Sequence, residues 1–212
     1  MIRAESSSVK DKVGAGVVFT LDTSLRYLKG VGPRRNSFYY RLGIKTLRDL
    51  LYHFPRRHED RRAFLSIAQL VEGQKATARG VISAVSLFRA KTGTVILQVT
   101  VRDSTGLLTA LWFNQPYMRK WFSVGQEMIV YGTVDRIGRK AQMAVPEFEF
   151  IPKEAAGSVH KSLHMGRMVP VYPATSGLHQ RELRETVAAA LKALWNSLPD
   201  PLPEEIRQRV GQ

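Results

Sequence analysis

The sequence predicts an α+β protein in which helical segments flank a β-barrel. Between residues 73 and 151, apolar and polar residues alternate with the two-residue period of half-buried strands. Before and after this stretch, apolar residues recur at helical spacing, and proline and glycine separate the patterns. These changes predict a flexible tail over 1–20, a helical segment with a connector over 21–72, the barrel over 73–151, and a linker with helices over 152–212.

Three short helices are predicted in the first helical segment. Ser24–Lys29 has a helical pattern, and Pro33–Leu42 follows with Gly32 as its N-cap. Thr46 caps the third helix, with Asp49 three residues later in the position of a capping box. The apolar stripe expected on that helix comprises Leu47, Leu50, Leu51 and Phe54.

The turn between the first two predicted helices has the pattern of a helix-hairpin-helix unit. Gly30 and Gly32 allow a tight turn that presents amide groups beside a helix N-terminus, which favours a phosphate oxygen. Arg34 and Arg35 add positive charge at the same place. We therefore expect these four residues to contact DNA phosphate; the alternative is an interhelical turn that binds nothing.

A charged connector, Pro55–Arg62, joins the helices to the barrel. Its arginines either contact phosphate or pair internally with Glu59 and Asp60. The sequence leaves both interpretations open.

Five segments of the barrel have the strand pattern, and turn-rich gaps between them indicate antiparallel connections. In the first segment, the face expected to be buried comprises Ala76, Ala78, Gly80, Ile82 and Ala84. A short helix, Asn114–Phe122, is predicted between the third and fourth strands, with Asn114 as its cap and Pro116 in its first turn. This layout predicts a five-stranded antiparallel barrel of the OB-fold type. The five strands are Lys75–Val85, Thr94–Asp103, Leu107–Phe113, Glu127–Val134 and Gln142–Ile151.

The last segment begins with an extended stretch, Val169–Pro173, because its prolines fix the backbone. Gln180–Trp195 is predicted to be a helix, and Glu204–Val210 begins another helical turn, where the sequence stops without a natural finish. The apolar stripe expected on the longer helix comprises Leu183, Val187, Leu191 and Leu194.

Composition favours a soluble, intracellular nucleic-acid-binding protein. The chain has 32 basic and 18 acidic residues, a net charge of +14, and such a surface attracts polyanions. Most of the excess precedes residue 152: 14 basic against 7 acidic residues in 1–72, and 10 against 5 in 73–151. The absence of cysteine excludes disulfides, thiolate zinc sites and cysteine nucleophiles. No apolar run approaches the ~18 residues of a membrane span, and Met1–Thr20 lacks the apolar core of a signal peptide.

No catalytic constellation is visible in the sequence. The phosphate-binding G-x-x-x-x-G-K-[ST] motif, the G-x-S-x-G nucleophile elbow and the H-E-x-x-H zinc motif are all absent. His160 and His164 are four residues apart, but no third ligand accompanies them, so we expect no metal site.

The residues best suited to binding lie where the third strand ends. Phe113 and Tyr117 are one helical turn apart, and exposed aromatic rings on a basic barrel can stack on unpaired bases. Arg119 and Lys120 lie beside them for phosphate contacts. The alternative is that these rings are packed, since Tyr117 and Trp121 have the spacing of an ordinary i, i+4 pair. The residues expected in the core here are Trp112, Met118, Trp121 and Phe122.

Several motifs occur together in the sequence. They are LKGVGP at Leu28–Pro33, LGIKTLRDLL at Leu42–Leu51, FPRRHEDR at Phe54–Arg61, WFNQPY at Trp112–Tyr117, and Val171–Pro173 with Gly177, Leu178 and the helix Leu183–Leu194. Their order resembles the N-terminal part of the RecG family of bacterial DNA helicases. His58 stands where the family usually has tyrosine, and Ala174–Ser176 replaces a more typical Leu-Thr-Glu. The similarity spans roughly Leu21 to Val210.

The resemblance implies a wedge module of a helicase that acts on stalled replication forks and Holliday junctions. In this family an ATP-driven motor of two RecA-like domains pulls duplex, while the wedge splits the arms at the branch point. By position, Phe113 and Tyr117 match the aromatic pair that stacks on the opened bases. ATP and magnesium would belong to the motor, which is absent from this chain. A monomer in the cytoplasm, associated with the nucleoid, is expected.

Two other classes of function remain open from the sequence. One is a free-standing OB-fold protein that binds single-stranded DNA or RNA. The other is a protein-interaction scaffold whose positive charge is incidental.

Overall fold

The computed structural model describes residues 18–138, 140–152, 162–195, 206 and 209. Contacts divide the chain into two compact units, one drawn from Met1–Phe54 and Ala174–Gln212, the other consisting of Pro55–Pro173. This division differs from the predicted segments, because the helix after the barrel belongs with the first helices and the connector belongs with the barrel. Among the described residues, no helix has the length and apolar character required to cross a membrane.

Within the described ranges 18–54 and 174–195, the helical unit has the α-helices α1 (Pro33–Arg41), α2 (Leu47–Leu51) and α3 (Gln180–Leu194). Gly32 is the N-cap of α1, and Gly43 has a φ of 78° just after the helix, so the predicted ends of α1 are confirmed. The capping box of α2 forms as predicted, with Asp49 N–H donating to Thr46 Oγ1 over 3.2 Å and Thr46 N–H donating to an Asp49 carboxylate oxygen over 2.9 Å.

The core of this unit joins α1 and α2 to α3. The Tyr39 hydroxyl donates to Thr186 Oγ1 over 2.8 Å, and both side chains are buried. Two predictions of apolar stripes are wrong in part, because Phe54 is 67% exposed and Leu191 is 41% exposed. Ala190 takes the place expected for Leu191 on the buried face of α3. The buried apolar side chains include Leu25, Leu47, Leu50, Leu183 and Leu194.

In the second unit, the residues that the structure describes form nine strands and two 3₁₀ helices, Ile67–Gln69 and Pro116–Trp121. Two of the strands, β1 and β9, pair antiparallel in a small separate sheet. The strands are β1 (Arg57–Asp60), β2 (Phe64–Leu65), β3 (Lys75–Arg89), β4 (Val95–Arg102), β5 (Leu107–Phe113), β6 (Glu127–Ile137), β7 (Lys140–Ala144), β8 (Glu147–Phe150) and β9 (Met168–Val171).

Five strands close into a ring in the order β3, β4, β5, β7, β6 and back to β3, which we call the β-ring. All its pairings are antiparallel except that of β5 with β7, which is parallel. The prediction of a wholly antiparallel barrel is therefore wrong at this seam. The reason is geometric: strand directions cannot alternate all the way around a closed ring with an odd number of members.

A bend in β3 closes the β-ring. Residues Lys75–Val81 pair with β6, whereas Val81–Arg89 pair with β4, with a bulge between Ile82 and Ala84. At the bend a side chain on Gly80 would place its Cβ 2.6 Å from the Arg102 carbonyl oxygen, so only glycine allows this approach. The bulge reverses the alternation, and Ala84 is exposed rather than buried as predicted.

The fifth predicted strand, Gln142–Ile151, is divided into β7 and β8. Both pair antiparallel with β6, and the break falls at Val145, which has a φ of 46°, followed by Pro146. Pro146 lies against Gly132 of β6, where a Cβ would be 3.3 Å away. The proline and the left-handed residue interrupt the ladder, and β8 continues it one residue out of step.

The interior of the β-ring is filled by aliphatic side chains from every strand and by an aromatic cluster at one end. Leu97, Val99 and Val101 of β4, which alternate along the strand, are completely buried. The cluster joins Trp112, Phe122, Phe148 and Phe150, whose ring centroids lie 5.0–5.5 Å apart in contacting pairs. Such edge and tilted contacts add to the burial of apolar area and make this end of the ring rigid.

Candidate nucleic-acid interface

Phe113, the last residue of β5, lies on the outer surface of the β-ring. The preceding residue, Trp112, points into the core and is 2% exposed, with its ring centroid 5.0 Å from that of Phe122. Because successive strand residues face opposite sides, Phe113 is turned outward and is 38% exposed. The core packing of Trp112 therefore fixes the direction in which Phe113 points.

Asn114 turns the chain sharply after Phe113. It has a φ of 54°, a left-handed conformation that asparagine tolerates better than most residues. Its N–H donates to the Val95 carbonyl over 2.7 Å, and its side-chain oxygen accepts from the Val95 N–H over 3.1 Å. The prediction that Asn114 caps the following helix is wrong, because Gln115 occupies the cap position and the helix is a 3₁₀ helix, Pro116–Trp121. An asparagine directly after a strand was the available signal for this turn.

Tyr117 lies on the exposed side of this 3₁₀ helix. The opposite side is anchored in the core by Met118 and by Phe122 just beyond the helix, as predicted for both residues. The Tyr117 ring is 58% exposed and makes an edge contact with Trp121, with centroids 5.9 Å apart. The prediction that Trp121 is a core residue is wrong, since it is 45% exposed. Tyr117 and Trp121 therefore contact each other as their spacing predicted, but both rings remain on the surface.

Both predicted cations beside the rings are exposed. Arg119 donates from Nη1 to the Phe122 carbonyl over 3.2 Å, which steadies the guanidinium without neutralising it. Lys120 follows on the surface. We call the end of the β-ring that carries Phe113, Tyr117, Arg119 and Lys120 the aromatic end.

The chain around the aromatic end is almost free of acidic residues. Residues 75–126 contain seven basic side chains and a single acidic one, Asp103. The Asp103 carboxylate accepts hydrogen bonds from the backbone N–H groups of Ile67 over 2.8 Å and Thr105 over 2.7 Å. Burial alone would raise the pKa of Asp103, but these hydrogen bonds outweigh it and lower that pKa. This acid therefore serves the local loop structure. Lys75 and Arg79 pair with Glu59 and Glu127 outside the stretch, over 2.7 Å each, and the remaining five cations give a positive potential that attracts a polyanion.

The predicted hairpin in the helical unit has a different form from a regular helix-hairpin-helix. Ser24–Lys29 contains only a single 3₁₀ turn, Leu25–Tyr27. Gly30 has a φ of 92°, and Gly32 is extended before Pro33, so the backbone turns tightly as expected. Arg34 is exposed beside this turn.

Arg35 is engaged within the helical unit. Its guanidinium forms an ion pair with Glu182 of α3 over 2.9 Å and donates to the Gly30 carbonyl over 3.0 Å. The same side chain therefore joins α1, the glycine turn and α3. The phosphate contacts expected of Gly30, Gly32, Arg34 and Arg35 stay a prediction.

Three of the four connector arginines, Arg57, Arg61 and Arg62, are paired with acidic residues, which favours internal pairing over phosphate contact. Arg61 is 1% exposed and binds Glu59 over 2.6 Å and Glu147 over 2.8 Å. Its guanidinium carbon lies 3.7 Å above the centre of the Tyr131 ring, and Nη1 donates to the His164 carbonyl over 3.1 Å. We call Arg61, Glu59, Glu147 and Tyr131 the arginine cluster. On the surface, Arg62 pairs with Asp60 over 2.7 Å.

Glu59 has the most clearly shifted pKa of this cluster. Burial by itself would raise the pKa of its carboxyl, but hydrogen bonds from Arg61, Lys75 and Arg57 outweigh burial and lower the pKa to about 2. Glu59 is therefore ionised at neutral pH and completes the charge balance of Arg61.

Among the residues that the structure describes, no three side chains of His, Cys, Asp or Glu lie close enough together to bind a metal ion. His160 lies outside the described residues. The aromatic end has features suited to binding: the exposed rings of Phe113 and Tyr117, two adjacent cations, and few acidic residues nearby in the chain.

Comparison with known proteins gives one consistent result. The family model of the RecG wedge domain matches residues 24–194. The chain is 34% identical over 197 residues to the ATP-dependent DNA helicase RecG of Thermotoga maritima, covering 92% of this chain and 24% of that protein. It is 29% identical over 186 residues to the protein of the same name from Escherichia coli K12, covering 87% of this chain and 26% of that protein.

A solved structure of RecG bound to a three-way DNA junction has the same fold. The TM-score is 0.75 at 33% sequence identity, and the match covers 92% of this chain and 26% of the solved one. The chain therefore spans about a quarter of the length of the curated relatives that it matches.

Proposed function

The chain belongs to the RecG wedge-domain family, and on this basis we propose that it binds branched DNA and separates the arms at the branch point. The observation that carries the proposal is the pair of exposed rings, Phe113 and Tyr117, held by a rigid core at one end of the β-ring. Exposed aromatic rings beside cations suit unpaired bases and their phosphates. The relative of known structure that binds a three-way junction supports branched DNA as the substrate class.

We propose further that the β-ring is a barrel of the OB type. Around the ring, β3, β4 and β5 follow one another in chain order, and β7 then lies between β5 and β6. This order, together with the single parallel pairing of β5 with β7, supports the assignment. A closed barrel has no free edges and does not deform, so duplex drawn against it must unpair rather than pass through.

The free energy gained when bases stack on the wedge is similar to the free energy lost when a base-pair step opens. Each base-pair step that opens loses ~1.4 kcal/mol of stacking. Each base that stacks on an aromatic side chain regains about 1–3 kcal/mol. Phe113 and Tyr117 together therefore compensate for the first opened pair, and continued opening requires work from elsewhere.

That work is proposed to come from a motor, because the curated relatives are about four times as long as this chain and are named ATP-dependent helicases. ATP and magnesium would bind in the motor and not in this chain. The whole protein would act on stalled replication forks and Holliday junctions, by fork reversal and branch migration, as a monomer in the cytoplasm at the nucleoid. Gly30, Gly32, Arg34 and Arg35 of the helical unit would hold a duplex arm by its phosphates, without reading sequence.

The test is a competition among three DNAs that share one sequence: a fork, a linear duplex and a single strand. Affinity is measured for the chain and for its Phe113→Ala, Tyr117→Ala double variant at about 50 and 200 mM salt. We expect the chain to prefer the fork, and the double variant to lose at least tenfold in fork affinity while its duplex affinity changes little. Steep salt dependence is expected to persist in the double variant, because the phosphate contacts remain.

Ile137→Ala is the matched control, since Ile137 is 66% exposed at the opposite end of the β-ring from Phe113. Equal losses on fork and duplex in the double variant would refute base stacking. Preference for the single strand over the fork would favour a free-standing single-strand binder. If the chain binds none of the three DNAs, a protein-interaction scaffold is favoured.

A further inference from the structure

A second aromatic ring lies in register with Phe113 on the outside of the β-ring. Phe88 of β3 is paired with Ile96 of β4, and Ile96 is paired with Phe113 of β5. Side chains of directly paired residues stand on the same face of a sheet, so these three form one row across three strands, which we call the outer row. Phe88 is 46% exposed, and Ile96 is half-buried between the two rings.

The neighbouring row confirms the direction in which the outer row faces. Leu87, Leu97 and Trp112 are likewise paired across the same strands. Leu97 and Trp112 are buried in the core, which fixes the inner face of β4 and β5, and the pairing with Leu97 extends this face to Leu87, although Leu87 itself is 45% exposed. Residues one position along each strand therefore point outward. Phe88 was not among the candidates drawn from the sequence, because only strand register brings it beside Phe113.

The turn between β3 and β4 brings two cations to the same end of the β-ring as the outer row. This turn is ordered: Ala90 N–H donates to the Thr94 carbonyl over 2.9 Å, and Arg89 donates to the Gly93 carbonyl over 3.1 Å. Lys91 is exposed at its tip. Val95, which follows the turn, is hydrogen-bonded to Asn114, so the turn lies next to the chain that joins Phe113 to Tyr117.

We propose that the outer row binds one or more further unpaired nucleotides of the DNA strand that contacts Phe113. Phe88 stacks on a base, Ile96 forms an apolar floor, and Lys91 at the tip of the turn contacts phosphate. Adjacent strands are ~4.8 Å apart, so Phe88 and Phe113 stand about 10 Å apart across the floor. This inference rests on the proposed function and extends it.

Charge identifies the occupant of the outer row. Residues Lys75–Arg102, which include β3, the turn and β4, contain five basic side chains and no acidic ones. Two of them, Lys75 and Arg79, pair with Glu59 and Glu127 near the start of β3, whereas Arg89 and Lys91 lie at the turn. An aliphatic floor with aromatic rings at both ends and cations at its margin complements a polyanion that carries flat apolar bases. Unpaired nucleic acid has both properties, and the row continues directly from the rings at the aromatic end.

The experiment uses forks that differ only in having no, one, two or three unpaired nucleotides at the branch point. Binding of the chain is compared with that of Phe88→Ala, Phe88→Tyr and Ile137→Ala, with thermal unfolding as the check on folding. We expect affinity of the chain to rise with the number of unpaired nucleotides. Phe88→Ala should lower affinity roughly 5- to 100-fold on the forks with two or three unpaired nucleotides and leave the fully paired fork unchanged.

The two control variants isolate the ring. Phe88→Tyr keeps an aromatic face and should bind like the unchanged chain, and Ile137→Ala should do the same. An equal loss for Phe88→Ala on all forks, or a loss in Phe88→Tyr as large as in Phe88→Ala, overturns the inference. If Phe88→Ala has no effect while the Phe113→Ala, Tyr117→Ala variant still loses fork affinity, the outer row fails and the proposed function stands. If neither variant loses fork affinity, both fail.

Discussion

The arginine cluster and the aromatic end combine the same kinds of side chain in opposite ways. In the arginine cluster, Arg61 is buried against the ring of Tyr131 and held by two carboxylates. At the aromatic end, Phe113 and Tyr117 are exposed, and Arg119 and Lys120 lie beside them on the surface. Both regions lie in the same compact unit of the chain. The fold of that unit alone therefore does not explain why the cation is buried in one region and exposed in the other.

The difference lies in the acidic residues near each region. The connector alternates Arg57, Glu59, Asp60, Arg61 and Arg62, so its cations find carboxylates within a few residues. Residues 75–126 contain one acid and seven cations, of which Lys75 and Arg79 pair with Glu59 and Glu127 outside the stretch. A cation becomes part of the structure where an acid is available, and it remains available for phosphate where none is. The comparison implies that removing charges in the two regions should affect stability and DNA binding separately.

The largest expected effect is on stability, from Arg61→Met. This change leaves Glu59 and Glu147 without their shared partner in a mostly buried site. Loss of one member of a buried ion cluster typically costs about 3–5 kcal/mol of the free energy of unfolding. Denaturant unfolding of the chain measures this cost.

Arg62→Met is the matched control, because the Arg62 ion pair with Asp60 is fully on the surface. We expect the free energy of unfolding to be nearly unchanged in this variant. If the free energy of unfolding falls by a similar amount in both variants, burial does not determine how much each connector arginine contributes to stability. A loss of fork affinity in folded Arg61→Met protein would assign the arginine cluster to the DNA-binding surface.

The next effect concerns the turn that positions the aromatic end. Asn114→Ala puts a residue with a Cβ but no polar group at a φ of 54° and removes the side-chain hydrogen bond to Val95. We expect a loss of about 1–2 kcal/mol in the free energy of unfolding. Fork affinity of the folded variant should fall more than duplex affinity, because Phe113 and Tyr117 would no longer be held in place.

Asn114→Gly separates the two roles of this residue. Glycine adopts the left-handed conformation freely but lacks the amide, so a smaller loss of stability is expected than for alanine. If alanine and glycine variants bind forks as tightly as the unchanged chain, the turn does not position the rings.

The pH dependence of stability should reveal the arginine cluster. The pKa of Glu59 is lowered to about 2 in the folded chain from its ordinary value of 4.5. Its contribution to stability is therefore fully present above about pH 5 and is lost as the pH falls through the range from 4.5 towards 2. Unfolding measured across this range should show a weaker acid dependence in Glu59→Gln than in the unchanged chain. Identical acid profiles would contradict this.

The smallest effect is expected from Arg119→Gln combined with Lys120→Gln. Phosphate contacts carry no sequence or branch information, so affinity should fall by a similar factor for fork, duplex and single strand. The slope of log affinity against log salt should decrease by about 2, one for each phosphate contact. An unchanged slope would remove these two cations from the interface, and the free energy of unfolding should not change.

Much of the fold is visible in the sequence because it follows from local patterns. The alternation in Val95–Arg102 and the cap at Thr46 each depend on a few adjacent residues, and both form as predicted. The parallel seam of the β-ring and the bend at Gly80 depend on how distant strands meet, so local patterns do not reveal them. The division of the last predicted strand at Val145 has a local signal only in Pro146.

The candidate site is visible in its composition but not in its geometry. The sequence identified Phe113 and Tyr117, but periodicity alone left their exposure undecided. The burial of Trp112 and the turn at Asn114 are what leave both rings on the surface. Phe88 joins them only through the register of three strands. The burial of Arg61 likewise depends on Glu147, which is 86 residues away in the chain.

Stacking of Phe113 and Tyr117 on opened bases is tested most directly by a fork that carries a fluorescent base analogue at the branch point. The account predicts that binding of the chain quenches the analogue there, but not when it lies inside a duplex arm. Phe113→Ala with Tyr117→Ala should abolish this quenching, whereas Tyr117→Phe should retain it. Quenching that is the same at the branch and within the arm, or that persists in the double alanine variant, would contradict the account.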